Sequence, residues 1–468
     1  MRTLLLNLPH PKRVMRRWVA SYYAPNFLMP PIELMGLGAI VREWKDGDVE
    51  LIDAIARGLD TTAVLAHLRE APADIVVSLT GFNTFPRDMA VLDQIKDAFP
   101  STNVACFGYL PSQRPEDVLV RTHVDYVLLD EPELTFSELY DHLQDGKASG
   151  DLGHIPGLAY RTPEGPRVNP RRPRVRDLDA LPFPDHGLVD LEHYNESYLD
   201  RPIGVIMSER GCPFACTYCV REFGREVASR STASILAEVA QLECRGVRNI
   251  RFMDDTFTMH RTRLIEICEG LIAHHPQVAW TCLTRVDVVD AEMLDLMRRS
   301  GCRRMYVGIE SGSQRVLDFY RKGLKVDTIR RQMAVIKASG IEASAFFVVG
   351  APDETDEDVD ASIDLAIELD VDFVIVTKLQ FWPGTDLFVS HGADVGFDLF
   401  SGEELLYAPA GYERARDWQR RFYRRFYLRP RYVVKRLRTL LRSPTDVLAG
   451  FGKLCAFLVR PHGWDDFI

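Results

Sequence analysis

The chain has 468 residues, enough for two or three domains that each bury a core of their own. Its hydrophobic fraction of 46% and charged fraction of 26% are ordinary for a globular protein. The formal net charge of −10 argues against a protein that coats nucleic acid. No run of about eighteen apolar residues is present, and the N-terminus turns polar too soon for a signal peptide, so we expect a cytoplasmic protein.

Residues 1–147 alternate short apolar runs with segments of helical periodicity. Strands are predicted at 3–6, 49–53, 75–79, 104–107 and 126–129, and helices at 31–43, 61–70, 87–99 and 135–143. Five such units predict an α/β domain with a doubly wound parallel sheet. Ligands of these sheets bind beyond the carboxyl ends of the strands, which draws attention to the loops at 9–30, 80–86, 108–115 and 130–133.

Three stretches of this half resemble a known domain. They are LMPPIEL at 28–34, VVSLT at 76–80 and VDYV at 124–127, the last followed by two glutamates at 131 and 133. They resemble the cobalamin-binding domain that precedes the catalytic domain in a large bacterial enzyme group. The resemblance implies corrin contacts by Ser78, Thr80, Gly108 and Glu131.

Two turns depart from that family's pattern. The chain has GYLP at 108–111 where the family often has GGPH, and DEPE at 130–133 where it often has GEGE. Glycines at such turns allow a backbone to approach a ligand closely. The sequence also lacks a D-x-H-x-x-G run, so no histidine is expected as the lower ligand of the cofactor. The alternative is a domain retained only for packing.

Residues 148–200 are predicted to be a linker. The stretch 153–173 is rich in Pro, Gly and Arg, and LDALPFP at 178–184 disfavours a long helix. The same enzyme group carries a similar Leu-Pro-x-Pro segment at this junction.

A second alternation fills residues 201–390. Strands are predicted at 204–207, 249–253, 279–283, 305–309, 343–349 and 374–379, and helices at 233–243, 262–273, 291–299, 326–338 and 357–367. Six strand–helix units predict a partial (β/α)6 barrel. The active site of such a barrel lies at the carboxyl ends of its strands.

Three cysteines, Cys212, Cys216 and Cys219, follow the first of these strands. Three thiolates so close in sequence can hold one iron–sulfur cube, and the absence of a fourth cysteine in the run leaves one iron open. The pattern Cys-x3-Cys-x2-Cys, with an aromatic residue before the last cysteine, resembles the radical S-adenosylmethionine (radical SAM) superfamily. The resemblance implies a [4Fe-4S] cluster whose open iron chelates the methionine moiety of SAM, with Tyr218 near the adenine. Structural zinc ligands or buried thiols are the alternatives, although zinc usually takes a fourth nearby ligand.

Polar residues stand at the ends of the later strands, where the resemblance implies SAM contacts. Asp254 and Asp255 match the acidic variant of the motif that holds the methionine ammonium, for which a carboxylate is a natural partner. A helix cap is the alternative for one of the two. The other implied contacts are Arg285 for the methionine carboxylate, Glu310 and Ser311 for the ribose and carboxylate, Gly350 in the adenine-side turn, and Gln380 beside the closing turn.

The resemblance implies a radical SAM enzyme that forms a 5′-deoxyadenosyl radical and, with cobalamin, methylates an unactivated carbon in a secondary metabolite or lipid. One alternative is an oxidative cyclase or carbon-skeleton enzyme of tetrapyrrole or terpenoid synthesis. Another, of a different class, is a non-enzymatic iron–sulfur sensor or scaffold. Methylthiolation is disfavoured, because that group holds a second cluster with three cysteines in its N-terminal domain, where this chain has only Cys106. The implied partner is an electron donor such as flavodoxin or ferredoxin, and nucleic acid is not expected.

Residues 391–468 are predicted to form a helical, basic C-terminal extension. The stretch 411–442 carries twelve Lys or Arg and two acidic residues, with aromatic residues at helical spacing. Either the aromatic stripe packs on the barrel and the arginines face water, or the extension docks on the inner face of an anionic membrane. In the second case each basic residue contributes on the order of 1 kcal/mol. Membrane contact would suit a lipophilic substrate.

Overall fold

The computed structural model describes residues 1–17, 21–23, 27–145, 152–196, 199–221, 223–391, 399–400 and 409–440. Contacts divide the chain into two compact units. The first unit contains residues 1–213 and 220–255 together with 399–400. The second contains residues 214–219 and 256–391 together with 409–440.

The N-terminal half alternates strands and helices. Its elements are β1 (Arg2–Asn7), β2 (Val14–Arg16), β3 (Ser21–Tyr23), α1 (Ile32–Ala39, continued by a π-helical turn, Ile40–Trp44), β4 (Asp48–Asp53), α2 (Ala54–Arg57), α3 (Thr61–Glu70), β5 (Ile75–Leu79), α4 (Phe85–Ala98), β6 (Asn103–Phe107), α5 (Tyr109–Gln113), α6 (Pro115–Arg121), β7 (Tyr126–Leu128), α7 (Pro132–Gln144), β8 (Leu158–Thr162) and β9 (Gly165–Val168).

The strand order of the first sheet is β4-β1-β5-β6-β7-β8-β9. The first five strands are parallel, and their chain order, 2-1-3-4-5, is that of flavodoxin-like sheets. Helices α1 and α7 pack together, as do α3 and α4. The core includes Leu5, Leu37, Val77, Phe107 and Phe136, all buried. In this strand order the topological switch point, where ligands bind, lies between β1 and β5.

The segment predicted as a linker contributes two strands to this sheet. β8 pairs antiparallel with β7, and β9 pairs antiparallel with β8. The ladder hydrogen bonds offered by the edge of β7 stabilise strands that local composition did not indicate. A small antiparallel hairpin, β2 with β3, was also not predicted.

The second half supplies the remaining elements. They are β10 (Ile203–Ile206), β11 (Glu209–Arg210), β12 (Ala228–Ser229), α8 (Thr232–Cys244), β13 (Asn249–Phe252), α9 (Arg261–His274), β14 (Ala279–Arg285), α10 (Ala291–Arg299), β15 (Cys302–Glu310), α11 (Gln314–Phe319), α12 (Val326–Ser339), β16 (Glu342–Val349), α13 (Asp356–Glu368), β17 (Phe373–Lys378), α14 (Asp386–His391), α15 (Pro409–Tyr427) and α16 (Pro430–Leu440).

Each unit holds part of the second strand series. In the first unit β10 pairs parallel with β13, and in the second unit β14, β15, β16 and β17 pair parallel in chain order. All eleven strands predicted from the sequence are present, with ends that shift by up to three residues. The predicted α/β fold class is therefore confirmed, whereas the domain boundaries at 147, 200 and 390 remain predictions.

Helix α15 covers the free edge of β17 with tyrosine hydroxyls. The Tyr423 hydroxyl accepts from the Val376 N–H at 3.0 Å, and the Tyr427 hydroxyl accepts from the Val374 N–H at 3.1 Å and donates to the Val374 carbonyl at 2.9 Å. Four helical residues rise about 6.0 Å and two strand residues span about 6.6 Å, so the two hydroxyls match alternate residues of the strand. The edge strand is thus closed by side chains.

Basic residues of α15 pair with acidic residues of α13. Arg421 contacts Asp356 and Asp360, and Arg425 contacts Asp360 and Asp364. The described part of the extension therefore uses its aromatic stripe and these arginines for packing within the second unit. The rest of the predicted extension, residues 392–398, 401–408 and 441–468, lies outside the described residues.

Among the residues that the structure describes, no helix has both the length and the apolar character needed to cross a bilayer.

Candidate cluster and cofactor site

The backbone before the first motif cysteine is tightly confined. Gly211 has a φ of +102°, and a Cβ placed on it would lie 2.2 Å from the carbonyl oxygen of Glu226. Only glycine fits this combination of left-handed backbone and close approach. The Cys212 N–H then donates to the carbonyl of Gly224 at 3.1 Å. Contacts with Gly224 and Glu226, which like Cys212 belong to the first unit, therefore set the position of Cys212.

Asp254 holds the strand that leads into the motif. Its carboxylate accepts from the backbone N–H groups of Ser208 at 2.6 Å and Glu209 at 3.0 Å, and from the Ser208 hydroxyl. Asp254 is 1% exposed, so these bonds occupy a carboxylate shielded from water. The structure thus gives Asp254 a positioning contact that the sequence analysis did not predict, in place of a free carboxylate ready for an ammonium group.

Asp255, the next residue, has a different environment. The residue is exposed to solvent, but many protein atoms surround its carboxylate. The resulting desolvation raises the pKa of Asp255 to about 6, and the negative charge of Asp254 raises it further. An accessible carboxylate with this pKa is charged at neutral pH and can bind a cation. Of the two predicted ammonium contacts, Asp255 is the accessible one.

Arg210 joins the motif to the loop after β7. Its guanidinium donates to Glu131 at 2.8 Å and to Glu133 at 2.6 Å, and all three side chains are at least 88% buried. The second oxygen of Glu131 accepts from the Val175 N–H at 2.8 Å. Glu131, predicted as a corrin contact, is therefore already bonded through both oxygens to other parts of the chain.

The last two motif cysteines belong to the second unit. Cys216 is buried and Cys219 is exposed. Between them, the Thr217 N–H donates to the carbonyl of Tyr320 at 3.0 Å, and the ring of Tyr218 meets that of Tyr320 edge-on at 4.9 Å. Burial, and then the charge of Glu310, raises the pKa of Tyr218 well above its usual value. The predicted adenine-side Tyr218 and ribose-side Glu310 therefore lie near each other.

Glu310 and Arg285 are each held by a neighbour. Glu310 ends β15 with a φ of +73°, and its carboxylate accepts from the buried Lys322 ammonium at 2.6 Å. Arg285 donates to Asp287 at 2.6 Å, and its guanidinium lies 4.1 Å from the ring centroid of Phe214, inside the cysteine motif. A left-handed backbone at a non-glycine residue is costly, and such residues often mark functional sites.

The remaining predicted SAM contacts lie at the next strand ends. Ser311 is buried and shares a hydrogen bond with the Ser362 hydroxyl at 3.1 Å. Gly350 has a φ of +101°, and its N–H donates to Glu354 at 2.6 Å. Gln380 is half-buried after β17. Ser311 is thus engaged inside the protein, while Gly350 forms the tight turn that its motif predicted.

The other predicted corrin contacts lie at the carboxyl ends of β5 and β6. The Ser78 hydroxyl is buried and has no hydrogen-bond partner among the described residues, and the Thr80 hydroxyl donates to the Phe107 carbonyl at 3.2 Å. Gly108 has a φ of +132°, and a Cβ there would lie 2.6 Å from the Thr80 carbonyl oxygen. The glycine is required by the packing of the chain against Thr80, whereas the unsatisfied buried hydroxyl of Ser78 is compatible with a ligand at this edge.

The three motif cysteines are free thiols within one loop. In the described part of the chain, no three His, Cys, Asp or Glu side chains already converge on one point as metal ligands. The donor set still fits an iron–sulfur cube with one open iron, because it offers three soft thiolates and no fourth cysteine in the run. The assignment of the cluster to Cys212, Cys216 and Cys219 rests on this chemistry and on their place after β10.

A family model described as the radical SAM superfamily matches residues 206–366. The match starts at the end of β10 and spans the cysteine motif and four of the strand ends described above. A second comparison covers nearly the whole chain, with 30% identity over 444 residues, 92% of this chain and 94% of its relative. The chain belongs to the radical SAM superfamily and is an enzyme.

That relative is an uncharacterised methyltransferase of Pyrococcus horikoshii. An anaerobic magnesium-protoporphyrin IX monomethyl ester cyclase of Rubrivivax gelatinosus is 26% identical over 415 residues, 86% of this chain and 75% of that protein. Among solved structures, the radical SAM methyltransferase TsrM from Kitasatospora setae, with cobalamin and a [4Fe-4S] cluster bound, has a TM-score of 0.66 at 20% identity. It covers 84% of this chain and 75% of that one. The structural likeness shows a shared fold.

Sequence reasoning missed three residues beside the predicted ones: Arg210, Lys322 and Tyr320. Arg210 directly precedes Gly211-Cys212 and could have been noticed as a buried charge in need of a partner. Lys322 and Tyr320 lie after α11, away from any strand end, and carry no signal in the sequence. Their importance comes from contacts with Glu310 and Tyr218.

Proposed function

We propose that the protein is a cobalamin-dependent radical SAM methyltransferase that methylates an unactivated carbon in a secondary metabolite or lipid. The observation that carries the proposal is the near full-length match to a methyltransferase-named relative. The combination of a flavodoxin-like sheet with a cysteine motif after β10 supports it. When bound, the [4Fe-4S] cluster and SAM supply the 5′-deoxyadenosyl radical, and cobalamin supplies the methyl group.

The residues of the chain then bind and orient. Cys212, Cys216 and Cys219 hold the cluster, and Asp254 fixes the strand before it. Asp255 binds the methionine ammonium, since its carboxylate is accessible and, with a pKa of about 6, is charged at neutral pH. Arg285, held by Asp287, faces the methionine carboxylate.

The nucleoside of SAM is held by the second unit. Tyr218 packs near the adenine and Glu310, oriented by Lys322, accepts from the ribose hydroxyls. Ser311, Gly350 and Gln380 complete this set as the family resemblance implied. On the corrin side, Ser78, Thr80 and Gly108 form the contact edge, and Glu131 acts through Arg210.

The test is anaerobic reconstitution with iron and sulfide, followed by SAM and a chemical reductant. We expect 5′-deoxyadenosine from the parent, none from Cys212→Ala, and an undiminished amount from Cys244→Ala, which removes an exposed cysteine outside the motif. Equal 5′-deoxyadenosine from the parent and Cys212→Ala would refute the cluster assignment. Failure of protein from cobalamin-replete cells to retain corrinoid would refute the cobalamin part.

A second candidate function is oxidative cyclisation of a tetrapyrrole. The match to the Rubrivivax gelatinosus cyclase favours it. Product mass separates the two: a methyltransferase adds CH2 to its substrate, whereas an oxidative cyclase removes hydrogen or adds oxygen.

We also propose a low-potential electron donor, flavodoxin or ferredoxin, and peripheral contact with the inner membrane face. Because the aromatic stripe of α15 is buried, membrane contact would fall to exposed side chains such as Arg424, Leu428 and Val434 and to the segment 441–468. Co-sedimentation with anionic vesicles at low and high salt tests it. Binding that is unchanged when Leu428 and Val434 are replaced by Ser and residues 441–468 are deleted, which leaves α15 in place, would refute the proposed surface.

A further inference from the structure

We propose that Arg210 is a positioning residue that ties the first cluster cysteine to the loop after β7, so that a corrin bound at that loop alters the cluster loop. The inference rests on the cobalamin site of the proposed function. Glu131 of the loop and Glu133 in the first turn of α7 hold the two terminal nitrogens of Arg210 at 2.8 and 2.6 Å. They lie 79 and 77 residues away from it in sequence. A planar guanidinium held at both nitrogens has its orientation fixed, as an ammonium group held at one point would not.

The charges of this cluster do not balance within it. One guanidinium faces two buried carboxylates, and the second oxygen of Glu133 is buried with no hydrogen-bond partner among the described residues. A buried carboxylate oxygen without a donor is costly. The edge of a corrin carries amide N–H groups, which are donors of the kind that this oxygen lacks. A corrin bound at the loop would therefore donate a hydrogen bond to Glu133 and, through Glu133, change the position of the Arg210 guanidinium.

The backbone from Arg210 to Cys212 has little conformational freedom. Arg210 pairs with Ala228 in the β11–β12 ladder, and its guanidinium lies 5.2 Å from the ring centroid of Phe223. Gly211 is packed against Glu226, and Cys212 is bonded to Gly224. A shift of the guanidinium would therefore reach Cys212 through Gly211 alone, whose backbone is already confined.

The experiment measures amide hydrogen exchange of residues 208–212 in the full-length protein, with and without hydroxocobalamin. In the parent we expect cobalamin to slow exchange by about fivefold or more, the lower end of common coupling between sites. In Arg210→Met we expect cobalamin still to bind but to slow exchange by less than about twofold. Arg210→Lys, which retains the charge and can meet one carboxylate, should recover part of the effect.

The matched control is Arg304→Met. Arg304 is another buried arginine, paired with Glu342, but it stands near the amino end of β15, away from the carboxyl ends where the site lies. It should destabilise the fold and leave the cobalamin effect on residues 208–212 intact. A parent that binds cobalamin without slowing exchange there, or an Arg210→Met variant that retains the full effect, overturns the inference alone. A parent that does not bind cobalamin overturns the proposed cobalamin site and this inference together.

Discussion

Replacing Asp254 by Asn separates its positioning contact from the SAM contact that the sequence suggested. The carboxylate accepts two backbone hydrogen bonds, at 2.6 and 3.0 Å, and one from the Ser208 hydroxyl. A hydrogen bond to a charged group contributes about 1.5–3 kcal/mol and a neutral one about 0.5–1.5 kcal/mol. Asn retains an acceptor for the backbone N–H groups, and the serine hydroxyl can reverse its role. The loss over two backbone bonds is therefore about 2–3 kcal/mol in the free energy of unfolding.

Urea unfolding of the metal-free protein measures this loss, and iron per chain after reconstitution measures its effect on the cluster loop. Asp255→Asn is the matched control, because it makes the same chemical change at an accessible neighbour. Since the folded state raises the pKa of Asp255 to about 6, removing its charge at neutral pH should leave the free energy of unfolding unchanged or raise it, and should not lower it. The Asp255→Asn variant should weaken SAM binding with the cluster intact. If Asp254→Asn leaves stability and iron content unchanged and lowers only SAM affinity, Asp254 is a SAM ligand and our assignment of its contacts is wrong.

Three further predictions concern the fold around the site. Tyr423→Phe and Tyr427→Phe should each cost about 1–3 kcal/mol in urea unfolding, because each leaves a strand N–H without its partner; a change near zero would mean that water replaces the hydroxyl. Burial raises the pKa of Glu354 to about 7, above its unfolded value of about 4.5. Between these two pH values the folded state binds a proton that the unfolded state lacks. The free energy of unfolding should therefore fall by up to about 3 kcal/mol as pH rises from about 4.5 to 7. Glu354→Gln should flatten the profile, and a parent profile that is already flat would contradict the assigned pKa. Gly108→Ala, which forces a Cβ to 2.6 Å from the Thr80 carbonyl oxygen, should destabilise the first unit by about 1–3 kcal/mol and weaken hydroxocobalamin binding, as measured by urea unfolding and a spectral titration; unchanged values in both would exclude a strained turn there.

The strands were predictable because a buried strand is a short run of apolar residues that can be recognised in the local sequence. Runs such as 75–79 and 343–349 are apolar over the length of a strand and end in turn residues, so period and punctuation agree. The order of polar residues after the strands placed the candidate site at one end of the series, as parallel strands require. Neither argument needs knowledge of distant contacts.

The partners of the polar residues were not predictable in this way. Asp254 and Asp255 are adjacent and chemically identical, and only the fold brings Ser208, 46 residues earlier, against the first of them. Glu131 carried the sequence signal of a corrin contact, yet an arginine 79 residues later occupies it. The hairpin β8–β9 was not predicted, because hydrogen bonds to the edge of β7 stabilise it and its own composition is not typical of strands.

The tyrosine-closed edge of β17 has a consequence for synthesis on the ribosome. Tyr423 lies 47 residues after Val376, the strand residue that it covers. At common elongation rates of about 5–20 residues per second, the strand is made about 2–9 s before its cover. During that interval the nascent chain presents a bare strand edge, the kind of surface that invites pairing with another chain. A message truncated before α15 would therefore yield an aggregation-prone polypeptide although every cluster cysteine had been translated. The fold of the second unit is complete only once α15 has been made.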